Sequence, residues 1–286
     1  MTIKIRIFSS FCDSQNCKSV YERLCQTHLI ANYGSDKDIY ITTEDDYTHV
    51  IIMNTAMPEI KSNVPKKNVI GLAFEPPFFL GLSNQFIEYA KKNIGKYFIG
   101  NKYQLPEPFV EHYGYMWHMP PLNYIPTKTK LISITFSEKQ QTDGHKYRHK
   151  LVQQILRTNL PIDIYGRGCK YYSGDQRIKG EFQELEPYES YHFHICIENL
   201  KTNHYFSEKI TNPLLSGTIP IYLGCNNIDT YFPEMVIHLS SDLSEDINIL
   251  KTIIENPEKY KKKINVEFVK EKINLVKNIR KIYSSI

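Results

Sequence analysis

A chain in which strand patterns alternate with helical patterns almost from end to end predicts an α/β protein built on parallel, doubly wound sheets. Two further observations divide the 286 residues into two such domains facing a cleft, each near the usual domain size. A Pro-rich aromatic stretch from Gly114 to Pro126, with Met119-Pro120-Pro121 inside it, interrupts the alternation at mid-chain and reads as a linker. The alternation then restarts. The expected organisation is an N-terminal βα domain over 1–125, a second βα domain over 126–258 and a basic amphipathic C-terminal helix over 259–286.

In the first half, Ile3 to Phe8 alternates as a strand, and Ser19 to Gln26 follows as a helix. Val50 to Asn54 and Asn68 to Phe74 read as buried strands, Gln85 to Lys92 as a helix and Lys96 to Ile99 as a short strand. In the second half, Lys130 to Phe136, Ile162 to Gly166, His192 to Ile197, Thr218 to Leu223 and Val236 to Leu239 are expected as strands. Lys146 to Arg157, Ser207 to Leu215 and Asp242 to Glu255 are expected as helices. From Tyr260, apolar residues at 260, 264, 268, 275, 279, 282 and 286 form a helical stripe. No repeat of fixed period is visible.

With 41% hydrophobic residues the chain can bury a core, and a formal charge of +4 is too small to imply nucleic-acid binding. The charge is uneven: Lys259 to Ile286 carries nine Lys or Arg against two Glu, a basic tail on a mildly acidic body. Such a tail is expected as a solvated helix face with peripheral membrane contact as its further use. Six cysteines (12, 17, 25, 169, 196 and 225) show no paired metal spacing and fit a reduced, cytoplasmic compartment. The N-terminus alternates like a strand rather than a signal peptide, and no run of about 18 apolar residues marks a transmembrane helix.

The polar groups concentrate in one stretch. Phe193-His194-Ile195-Cys196-Ile197 ends in Glu198 and Asn199. After a loop come Tyr205, Phe206, Ser207, Glu208 and Lys209, and then Gly217-Thr218-Ile219-Pro220-Ile221-Tyr222-Leu223-Gly224. Ligands of open α/β sheets bind outside the carboxyl ends of strands, where these groups fall. Ser207 is suited to cap a helix with Lys209 in its first turn, which offers a diphosphate both a cation and a helix N-terminus. Glu208 can accept from ribose or sugar hydroxyls, and Asn199 and Tyr205 can hydrogen-bond them. A lone Glu208-Lys209 pair would read as a solvent-facing first turn; its convergence with two strand ends favours a ligand. Arg148, at the start of a helix behind the Gly-containing loop Thr142-Asp143-Gly144, can clamp a diphosphate bidentately. His192 and His194 share a strand face without an identifiable third metal ligand. Glu44-Asp45-Asp46 precedes a strand and reads as a turn, so no metal site is expected. His112 and His118, near the linker with Tyr115 and Trp117, are expected to pack the domain interface, with an acceptor-sugar platform as the alternative.

These residues resemble the α-1,3/α-1,4-fucosyltransferases of glycosyltransferase family 10, whose signature runs F-x-x-x-F-E-N, Y-[VI]-[TS]-E-K and G-x-[IV]-P-[IV]-x-x-G. Ile197 replaces an aromatic and Phe206 a β-branched residue, and neither change removes a polar group. Phe136-Ser137 followed by Arg148, and Ile164-Tyr165-Gly166-Arg167, extend the resemblance upstream, so that it is good from about Leu131 to Pro233 and thin before that. The resemblance implies a GT-B fold, two Rossmann-like domains facing a central cleft, and inverting transfer of fucose from GDP-fucose to a glycan hydroxyl. It implies donor binding by Arg148, Glu198, Asn199, Tyr205, Ser207, Glu208 and Lys209, with Glu208 also counted as catalytic and Arg167 as a further candidate. No cofactor is obligatory, and a divalent metal would be stimulatory only.

Inversion needs a general base on the acceptor side. Glu75 fits best: it follows the strand Asn68 to Phe74, opens Glu75-Pro76-Pro77, and resembles the family's E-[SP]-P segment with Phe74 in place of a frequent Trp. A different nucleotide sugar is the near alternative. A degenerate module that binds a nucleotide sugar or glycan without turnover is the distant one. Nucleic-acid binding lacks any motif.

Overall fold

The computed structural model describes residues 2–284 and divides the chain into two compact units. The first comprises Met1–Pro121 with Asn203–Tyr205 and Lys270–Ile286; the second comprises Leu122–Thr202 and Phe206–Val269. The Pro121/Leu122 division falls inside the Pro-rich stretch read as a linker.

The first unit holds a six-stranded parallel sheet. Its strands are β1 (Ile3–Ser9), β2 (Ile39–Ile41), β3 (His49–Met53), β4 (Val69–Leu72), β5 (Lys96–Ile99) and β6 (Phe109–Glu111), in the order β2-β1-β3-β4-β5-β6. Val50 to Met53 and Val69 to Leu72 are unbroken apolar runs because helices and loops cover both sheet faces. Helix α1 (Ser14–Thr27) begins five residues earlier than its apolar period indicates, because Asp13 caps it by accepting from the Asn16 N–H at 2.7 Å. Helices α2 (Pro77–Leu80) and α3 (Asn84–Asn93) complete the connection from β4 to β5. Strands β2 and β6, three residues each, are too short to show alternation in the sequence.

The second unit repeats the plan with β7 (Lys130–Thr135), α4 (Asp143–Arg157), β8 (Ile162–Tyr165), β9 (Ile178–Gly180), β10 (Tyr191–Ile197), α5 (Glu208–Leu215), β11 (Ile219–Leu223), β12 (Ile237–His238) and α6 (Leu243–Glu255). All pairs are again parallel, in the order β12-β11-β10-β7-β8-β9. Read by chain position this is 3-2-1-4-5-6 from one edge, the Rossmann order, and its direction reverses between β7 and β10. These two strands are in register through Phe193 and Ile132. The architecture is α/β of the GT-B type, two Rossmann-like parallel sheets.

The tail is not one helix. After α7 (Pro257–Tyr260), helix α8 (Val266–Ile273) ends at buried Asn274, whose Oδ1 accepts from the Lys277 N–H at 2.8 Å and so caps α9 (Leu275–Ser284). The apolar stripe of α9 is committed to the first unit: Leu275, Ile279, Ile282 and Tyr283 are buried, and the Tyr283 hydroxyl donates to the Val50 carbonyl at 3.1 Å. The single helix expected over 259–286 is thus three, with its apolar stripe packed in the first unit along α9; Ile286, the last position of the stripe, lies outside the described residues. Among the described residues no helix is long and apolar enough to cross a membrane.

Candidate functional site

In the second unit, the strand order reverses between β7 and β10. A cavity of about 560 Å³ opens there. Its wall is built from the loop after β7, the first turns of α4 and α5, Asn199 after β10, and Gly166 and Arg167 after β8.

Helix α4 is set against the end of β10 by a glycine. The Gly144 N–H donates to the Asn199 carbonyl at 3.2 Å, and a Cβ at this position would stand 1.9 Å from the Glu198 carbonyl oxygen. One turn later Arg148, 6% exposed, donates from Nη2 to Asn199 Oδ1 at 2.6 Å. Asn199 therefore orients the guanidinium on the cavity wall. The start of α4 is fixed by a capping box: Thr142 Oγ1 accepts from the His145 N–H at 3.2 Å, and His145 Nδ1 lies 3.4 Å from the Thr142 N–H and 2.8 Å from its hydroxyl. Burial, then the charges of Arg148, Lys139 and Lys209, bring the His145 pKa down to about 4, so its ring is neutral.

Glu198, 1% exposed, accepts from the Ser207 N–H at 2.9 Å and from its hydroxyl at 2.7 Å. Gly224 makes room for it, since a Cβ there would lie 2.4 Å from Glu198 Cγ. Glu198 thus pins the N-cap of α5 from behind the cavity. Burial pushes its carboxyl above the usual range, and the opposing pull of Lys209 and of the Ser207 donors does not fully offset this. Lys209 Nζ lies 2.9 Å from Glu208 Oε1, 3.1 Å from Ser207 Oγ and 3.9 Å from Glu198 Oε2. Burial would lower the Lys209 pKa, but the carboxylates of Glu208 and Glu198 outweigh it and hold the ammonium charged. Glu208 is half exposed at the cavity rim.

Of the residues singled out in the sequence, Arg148, Arg167, Asn199, Glu208 and Lys209 line the cavity, whereas Glu198 and Ser207 stand behind it. Tyr205 is buried and belongs to the first unit, as does Glu75. Glu75 is half-buried in the loop after β4, next to Phe74, whose N–H donates to Asn54 Oδ1 at 2.8 Å. The Phe74 ring meets Phe11 and Trp117 at 5.9 and 5.7 Å, so Trp117 packs within the first unit. The sequence reading did not single out His145, nor Phe182, Glu184 and Tyr188 on the wall between β9 and β10. His145 carried a readable signal, Thr142-x-x-His145 at capping-box spacing; the segment before β10 carried none. His194 is a core residue, its Nδ1 2.8 Å from the Ser133 hydroxyl, and burial lowers its pKa to about 3. Among the described residues no group of three or more His, Cys, Asp or Glu is arranged to hold a metal ion.

The model of glycosyltransferase family 10 (fucosyltransferase), C-terminal region, matches residues 125–269, half of the chain and nearly all of the second unit. The alpha-(1,3)-fucosyltransferase B of Drosophila melanogaster is 30% identical over 94 residues, which are 30% of this chain and 21% of that one. The chain spans from about a fifth to about two fifths of the length of the curated relatives it matches. Its fold is similar to a crystal structure of an alpha-1,3-fucosyltransferase (TM-score 0.52, 13% identity, 99% of this chain and 92% of that one). It is also similar to an alpha-glucosyltransferase in complex with UDP and DNA (TM-score 0.58, 11% identity, 99% of each chain).

Proposed function

This chain belongs to glycosyltransferase family 10, the fucosyltransferases, and on that premise we propose that it transfers fucose from GDP-fucose to a hydroxyl group of a glycan acceptor, inverting the anomeric carbon. The observation that carries this reading is the presence of two largely buried cations, Arg148 and Lys209, on one cavity wall at the sheet's switch point. In this reading both face the diphosphate. As the acceptor oxygen bonds to the anomeric carbon, the glycosyl–phosphate bond breaks and its electron pair stays on the diphosphate. Fixed cations that meet this charge as it develops lower the barrier. A divalent ion is then a stimulant rather than a requirement. Asn199 aims the guanidinium, Glu208 accepts from ribose or fucose hydroxyls, Arg167 lies at the margin, and Glu198 and Ser207 act by holding Lys209. Tyr205 keeps the donor role that the family resemblance gives it. Glu75 takes the acceptor's proton.

Calorimetry with GDP-fucose, GDP-mannose and UDP-sugars, paired with a transfer assay, tests the reading. GDP-fucose is expected to bind most tightly, and exclusive binding of a UDP-sugar would sink the fucose assignment. Glu75→Gln is expected to bind donor normally and to lose transfer by about a hundredfold or more, the usual scale for a general base. Transfer near the wild-type rate would remove Glu75 from that role.

A further inference from the structure

We propose that His145 is a diphosphate-binding residue of this site, a neutral imidazole whose Nε2–H donates to a phosphoryl oxygen; the inference rests on the donor reading above. The capping box sets the tautomer. A backbone N–H can only donate, so the Thr142 N–H at 3.4 Å requires a lone pair on His145 Nδ1, and the Thr142 hydroxyl at 2.8 Å is placed to donate to the same atom. The ring proton of the neutral form then belongs on Nε2. His145 is 5% exposed, and it lines the cavity one helical turn before Arg148.

Charge chemistry explains why the group is a neutral donor. Arg148 and His149 on α4, Lys139 after β7 and Lys209 on α5 act on the ring together with burial, and each opposes a second positive charge. A neutral imidazole supplies a hydrogen bond to the anion without adding to that repulsion. It sits in the first turn of α4, a fifteen-residue helix whose N-terminal end favours a phosphate.

The test uses the whole chain with GDP and with guanosine, which lacks the phosphates. His145→Ala is expected to weaken GDP binding about tenfold or more, the scale of a hydrogen bond to a charged group, and to leave guanosine binding unchanged. Because alanine also removes half of the capping box, nitrogen NMR of the wild-type ring provides a second reading. Nδ1 is expected unprotonated and Nε2 protonated, with the Nε2 resonance moving on addition of GDP but not of guanosine. Equal GDP affinities for wild type and variant, or a proton found on Nδ1, would overturn the assignment while leaving the donor site standing. A wild-type chain that binds no GDP would overturn the donor reading and this inference with it.

Discussion

Gly144→Ala separates two expectations that have opposite signs. By helix propensity alone, alanine for glycine in the first turn of α4 stabilises by about 0.5–1 kcal/mol. The structure forbids that gain. The new Cβ would stand 1.9 Å from the Glu198 carbonyl oxygen and 2.7 Å from that of Asn199, both backbone atoms that cannot swing aside. Reaching even a tight 3.0 Å contact requires α4 and the end of β10 to part by about 1.1 Å. That opening would stretch the 2.6 Å bond from Arg148 to Asn199 to about 3.7 Å, outside hydrogen-bonding range. Overpacking costs about 1–3 kcal/mol and loss of the charged hydrogen bond about 1.5–3 kcal/mol. After the propensity gain, the net loss is about 1.5–5.5 kcal/mol of stability. A displacement of this size weakens a positioned ligand contact by about tenfold to a hundredfold. Urea unfolding and GDP calorimetry read the two effects, with Gln153→Ala, exposed on the same helix, as the baseline. A Gly144→Ala protein as stable as the baseline variant and with unchanged GDP affinity would refute the proposed seating of α4 on β10.

Three further outcomes follow from the geometry. Lys209→Met removes the cation beside Ser207, Glu208 and Glu198 and is expected to weaken GDP binding about tenfold or more, read by calorimetry. His194, with a pKa of about 3 in the folded chain against 6.5 unfolded, leaves the unfolded state binding more protons between those values. Its contribution is complete above pH 6.5 and is lost as pH falls toward 3, so His194→Asn is expected to reduce the acid-side slope of stability by up to about 1.4 kcal/mol per pH unit; an unchanged slope in denaturant titrations would count against the buried neutral ring. Tyr283→Phe removes the hydrogen bond to the Val50 carbonyl and is expected to cost about 1 kcal/mol, read as a lowered urea midpoint.

The second unit was legible because buried parallel strands write themselves as short apolar runs, and because β10, α5 and β11 carry polar groups at fixed offsets from those runs. What the residues do was less legible than where they sit. Glu198 stands at a strand end, where a ligand-binding carboxylate would also stand. Only the fold shows that Ser207, nine positions on, returns to donate twice to it. His145 has the capping-box spacing from Thr142, but a histidine in the place of the usual Glu or Gln makes that spacing a weaker signal. The tail's apolar spacing reads as a helical stripe. Its break at Asn274 and its partner surface were invisible, because a stripe records that a face is buried and not what buries it. Strands β2, β6 and β9 lack enough residues to show a period at all.

The burial of α9 sets an order on synthesis. Tyr283 and Val50 are separated by 233 positions, so the first unit's sheet can acquire α9 only after the second unit has been synthesised. The second unit draws on Leu122–Val269, apart from Asn203–Tyr205, and its strands need no partner from beyond that span. Of these two units, the one whose sheet is synthesised first is therefore the one that is completed last. Until then the apolar ground that receives α9 is uncovered, the state in which a nascent chain is most exposed to chaperones and to aggregation.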